Sequence, residues 1–135
     1  MSRNAIVLLI ALASVAFAEE TENQADFPPL YRVKDGTQVD EKTLQGWRTW
    51  RALACERCHG AQQEGLVGPP LVESLKRISK EEFHNLMMHG RPEKGMPPFN
   101  TSEMVNQNWE GLYAYLKGRS DGEIKPGRLT ALDEK

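Results

Sequence analysis

Two cysteines and a histidine stand close together at Cys55-Glu56-Arg57-Cys58-His59. This pattern limits the chain more than any other stretch of it. C-x-x-C-H is the attachment site of a c-type haem. Each thiol can add to a vinyl group on one edge of the porphyrin, and the adjacent imidazole then offers a nitrogen to the iron. A zinc site would need a second pair of ligands, and the chain has only these two cysteines. A thiol redox pair would have no need of His59. The reading is therefore one covalent haem c, held by Cys55 and Cys58, with His59 as the first axial ligand.

Haem of this kind is attached outside the bacterial cytoplasm, and the N-terminus agrees with export. Arg3 is followed by the apolar run of residues 5–15 and by Ala16-Phe17-Ala18, the form of a cleavable signal peptide over residues 1–18. The apolar run is shorter than the about 18 residues that a membrane-spanning helix requires. A periplasmic protein with no stable membrane insertion is expected. The net charge of −2 gives no basic footprint for nucleic acid. Aromatic content of 7% is thin for a 135-residue chain, and a buried haem would supply part of the missing core.

Residues 19–39 are polar, with Pro28-Pro29 and a turn at Asp35-Gly36. They read as an extended arm docked through Phe27, Leu30, Tyr31 and Val33. A first helix is predicted over residues 40–54, capped by Asp40, with Leu44, Trp47, Trp50 or Arg51, and Ala54 at helical spacing. Gly46 inside it suggests that another helix crosses closely. Residues 60–70 form a Gly- and Pro-rich loop, and a proline carbonyl in Gly68-Pro69-Pro70-Leu71 could accept the hydrogen bond from the second nitrogen of His59. Ser79-Lys80-Glu81-Glu82 is a capping box for a helix that Gly90 ends.

The loop of residues 91–100 carries Gly95-Met96-Pro97-Pro98. An apolar methionine between such breakers is poor core material but a good metal ligand, because a rigid loop presents its soft sulfur. Met96 is the expected second axial ligand; Met87 and Met104 read as helical core and Met88 as a flank. A last helix, capped by Thr101 or Ser102, is predicted to run to Lys117, with Gly118 stopping it. Residues 119–135 read as a loose polar tail. No strand pattern appears. The expected fold is all-α, three to four helices around one haem, with the haem domain at residues 40–118. His84 and His89 are read as solvated, since their spacing of five does not pair them on a helix.

Cys55 to His59, Gly68-Pro69-Pro70-Leu71, Gly95-Met96-Pro97 and Leu112-Tyr113-Ala114-Tyr115-Leu116-Lys117 follow one another as in class I cytochromes c, which the chain resembles over residues 40–118. The resemblance implies that the first and last helices cross, with Gly46 and Trp50 against Leu112 and Tyr115. It also implies that Pro69 and Leu71 support His59 and the haem, and that Met96 is the sixth ligand. One departure stands out: Arg51 holds the place, four before the first cysteine, where the family has an aromatic residue, and Trp50 lies one earlier. Residues 31–40, 71–76 and 115–122 are similar to soluble cytochromes c that accept electrons from quinoprotein (PQQ-dependent) alcohol dehydrogenases. The resemblance implies an electron carrier, expected to be monomeric, with such a dehydrogenase as donor and a terminal oxidase or another cytochrome as acceptor. The alternative is a ligand-binding or peroxidase-like haem protein with an open sixth position.

Overall fold

The computed structural model describes residues 28–133. The leader at residues 1–18, the first part of the arm and Phe27 lie outside the described residues. Among those described, five α-helices carry most of the structure: α1 Glu41–Ala52, α2 Glu56–His59, α3 Leu71–Ser74, α4 Lys80–His89 and α5 Glu103–Ser120. The count exceeds three or four because α2 and α3 are single turns, too short to show a hydrophobic period. None of the helices is long and apolar enough to cross a membrane.

The frame is the crossing of α1 and α5. A Cβ on Gly46 would lie 1.9 Å from the Gly111 carbonyl oxygen, and one on Gly111 would lie 2.2 Å from the Lys42 carbonyl oxygen. Backbone meets backbone there, and no larger residue fits on either side. Trp50, only 2% exposed, and Tyr115 meet one turn further on, with ring centroids 6.3 Å apart and planes tilted by 59°. The expected crossing is present, and Gly111 is the contact that the sequence reading missed. The same argument made for Gly46, a glycine inside a helical apolar face, applied to it equally.

Asp40 caps α1, accepting from Thr43 N at 3.1 Å, Thr43 Oγ1 at 2.8 Å and Arg32 N at 2.7 Å. At its other end α1 does not continue to Cys55. Ala54 N donates to Arg51 O and Cys55 N donates to Trp50 O, with Ala54 at φ +51°. This pair of bonds is a Schellman closure. It accounts for the departure at Arg51: the helix ends early, Trp50 faces the core and Arg51 is exposed.

Three short strands were not expected. Strands β1 Val33–Lys34 and β2 Gln38–Val39 pair antiparallel around the Asp35-Gly36 turn, both of whose residues have positive φ. Strand β3 Thr130–Ala131 joins β2 in parallel, with Gln38 opposite Thr130 and Val39 opposite Ala131. Two-residue strands leave no alternation to read in a sequence. Strand β3 also corrects the reading of a loose tail. Ile124 (0% exposed) and Leu129 (3%) belong to the core. Gly118 does not stop α5, which runs on to Ser120. It gives room instead, since a Cβ there would meet Ile124 Cδ1 at 2.4 Å. Leu30, Tyr31 and Val33 of the arm pack on the same core.

Candidate functional site

Helix α2 is the turn formed by Glu56–His59, so Cys55, Cys58 and His59 sit on one coil of chain. Neither cysteine is in a disulfide; Cys58 is exposed and Cys55 partly buried. Burial pushes the Cys55 thiol up to about 12, and the neighbouring Glu56 carboxylate adds to this. A neutral thiol is the form that burial permits at this position.

His59 is fixed from behind. Its Nδ1 lies 3.0 Å from the Pro69 carbonyl oxygen. An N–H at Nδ1 donated to that oxygen leaves Nε2 with the free lone pair, the tautomer that a metal-ligating histidine needs. Gly68 permits the approach: a Cβ there would stand 2.9 Å from two atoms of the imidazole ring. On the other side the Trp50 ring lies 6.4 Å from the imidazole, centroid to centroid.

The loop that carries Pro69 is held by more than its prolines. Gly68 N donates to Cys58 O and Gly65 N to His59 O, both at 2.7 Å. Gln63, 1% exposed and at φ +61°, donates through Nε2 to the Tyr115 hydroxyl at 3.1 Å and accepts from Arg119 Nε at 2.7 Å. Arg119 also donates to Gln62 O at 3.1 Å. Neither Gln63 nor Arg119 was signalled beforehand, because a polar pair 56 positions apart has no local pattern.

Met96 sits in a closed loop. Arg91 N donates to Met96 O at 2.8 Å and Met96 N to Arg91 O at 3.1 Å, around the 3-10 turn Pro92–Lys94 and Gly95 at φ +85°. Met96 is half-buried. Cys55, Leu71 and Met96 all border the same core cluster. Of the rival methionines, Met87 is buried in that core and Met88 packs against it. Met104 does not match its reading as core: it is 42% exposed, and the inward position of that first turn of α5 is taken by Val105, 0% exposed. His84 is not simply solvated, since its ring lies against Trp109 with centroids 4.4 Å apart. His89 Nδ1 bonds back to Asn85 O at 3.0 Å. No group of three potential metal-binding side chains of His, Cys, Asp or Glu occurs among the described residues.

The residues present fit a covalent haem: two uncrosslinked thiols, an imidazole with one nitrogen already engaged, and a glycine that makes room for its ring. Comparison with known proteins agrees. The family model described as "Cytochrome C oxidase, cbb3-type, subunit III" matches residues 41–116. Cytochrome c-555 of Methylococcus capsulatus is 41% identical over 92 residues, covering 67% of this chain and 73% of that protein. Cytochrome c-553I of Paracoccus denitrificans is 30% identical over 114 residues, 79% of this chain and 50% of its own length. The crystal structure of the c-type cytochrome XoxG from Methylobacterium extorquens AM1 superposes with a TM-score of 0.69 at 34% identity, covering 78% of this chain and 67% of that one. The fold is that of class I cytochromes c, and the chain belongs to the cytochrome c family of haem c electron-transfer proteins.

Proposed function

We propose that this cytochrome is a periplasmic one-electron carrier, with haem bound through Cys55 and Cys58 and with His59 and Met96 as axial ligands. In this reading residues 1–18 are a signal peptide cleaved after Ala18, and residues 40–118 form the haem domain. The donor is a PQQ-dependent alcohol dehydrogenase, and the acceptor a terminal oxidase or another cytochrome. Haem c supplies an iron centre that gains or loses one electron without making or breaking a bond.

The observation that carries the reading is the 3.0 Å contact between His59 Nδ1 and the Pro69 carbonyl. It selects the tautomer, orients the ring and makes the imidazole a better ligand. Pro69 in turn is held by the bonded loop, and Leu71, at the start of α3, packs against the core. The paired backbone bonds between Arg91 and Met96 favour a thioether held in place rather than one that swings away. With His59 and Met96 both holding the iron, no position would be left for substrate, and the haem would supply one-electron transfer only.

Visible spectroscopy tests this. The oxidised protein should show the charge-transfer band of a methionine–ferric pair and should not bind carbon monoxide at neutral pH. Met96→Ala should lose the band, bind carbon monoxide and fall in reduction potential, because a Met/His pair raises it. Mixed with a quinoprotein alcohol dehydrogenase and its alcohol, the oxidised wild type should be reduced. Ready carbon monoxide binding by the wild type would instead support a ligand-binding or peroxidase-like protein.

A further inference from the structure

A cleft of about 620 Å³ lies between the outer face of α1 and the docked tail, lined by Trp47, Arg48, Arg51, Ala52, Gly127 and Arg128. Three guanidinium groups converge on it and no carboxylate lines it, in a chain whose net charge is −2. Trp47, Arg48 and Arg51 share one face of α1 by their helical spacing. Arg128 arrives from a segment remote in sequence. It is held there because Leu129 beside it is buried and Thr130 N donates to Thr37 O at 3.0 Å.

The positive charges are largely uncompensated. Arg48 reaches Glu41 at 3.4 Å with both side chains more than half exposed, a contact worth little in water. Arg51 and Arg128 form no ion pair with a described residue. Like charges gathered in one place repel and cost stability, so the arrangement is favourable only when an anion joins it. Arginine matches carboxylates by paired, charge-assisted hydrogen bonds. Trp47, packed against the core, adds an apolar floor, and Trp and Arg are the residues that most often anchor protein interfaces.

Trp50 lies one turn beyond Trp47 on α1, and its ring lies 6.4 Å from that of His59. We propose that this cleft is a docking site for a carboxylate-rich surface of a protein electron partner, on the helix that also carries Trp50, whose ring lies 6.4 Å from the His59 imidazole. The functional half of this proposal rests on His59 being the axial ligand; the binding half does not.

The test is a titration of the full-length, haem-loaded, ¹⁵N-labelled protein with hexaglutamate peptide at low salt. Shifts are expected at the Trp47 indole N–H and at Arg48, Arg51 and Arg128, and they should disappear in high salt. Arg51→Gln/Arg128→Gln should weaken the peptide at least tenfold, with the visible spectrum unchanged and the melting temperature not lowered. Lys34→Gln/Arg77→Gln alters net charge by the same amount away from the cleft and should bind as the wild type. In stopped flow, oxidation of the reduced protein by hexacyanoferrate(III), which takes one electron, should slow at least threefold in the cleft variant and not in the control. Shifts spread over other faces, or equal weakening by the two double variants, would overturn the docking site. Intact peptide selectivity with equal oxidation rates would overturn its role in electron transfer. The spectrum and carbon monoxide response of the same samples report the axial ligands separately, so either reading can fail alone.

Discussion

Ala54 adopts φ +51°, a conformation that costs a residue with a Cβ about 1 kcal/mol. It does so to close α1 and to turn the chain into Cys55, and glycine is the usual occupant of such a position. Ala54→Gly should therefore stabilise the fold by about 0.5 kcal/mol, the left-handed strain removed being partly offset by the entropy that glycine loses on folding. Chemical denaturation of the haem-loaded protein checks this; a loss of stability would mean that the Ala54 methyl group packs usefully. At the same scale Gln63 holds φ +61° because Tyr115 and Arg119 bind its amide. Two strained residues thus flank the haem motif, one on each side.

At the scale of the element, α1 depends on its cap. Burial alone would push the Asp40 carboxyl up, but hydrogen bonds from Arg32 N, Thr43 N and Thr43 Oγ1 outweigh it and hold the group below its ordinary value. A carboxylate with a depressed folded pKa stabilises the fold fully above its unfolded value, about 3.9, and the contribution is lost as pH falls through the folded value. Asp40→Asn cannot accept all three bonds and should cost about 1 kcal/mol at pH 7. That gap should hold down to about pH 5 and close below about pH 4, as the wild-type carboxyl also protonates. Denaturation curves at several pH values measure it, and a gap that persists at pH 2 would assign the effect to shape rather than charge.

At the scale of the whole molecule, the two ends of the described chain are parts of one fold. Strands β1 and β2 precede α1, β3 follows α5, and the three form one sheet. Tyr31 donates to Asp121 at 2.8 Å and Lys125 N to Gly36 O at 2.8 Å, so arm and tail bind each other as well as the core. Deleting residues 123–135 removes Ile124 and Leu129 from the core. At about 1.5–3 kcal/mol for each buried aliphatic side chain, less the ordering of the tail, the loss should be on the order of 3 kcal/mol. The melting temperature should drop by about 10 °C or more. A truncated protein that melts with the wild type would show the tail to be dispensable.

The difference between what was legible and what was not follows the range of the interaction. Helix caps at Asp40 and Ser79 and the Asp35-Gly36 turn are set by residues a few positions apart, so the sequence alone determined them; for α5 it narrowed the cap to Thr101 or Ser102, and the structure chose Ser102. The haem motif, the helical class and the helix crossing implied by Gly46 were readable for that reason. Gly111 against Lys42, Gln63 against Arg119, and Arg128 in one cleft with Arg51 join residues tens of positions apart. No local pattern encodes such pairs, because their free energy arises only when packing brings remote backbone and charge together. Tertiary structure alone decided that the tail belongs to the core and that three arginines share one cleft.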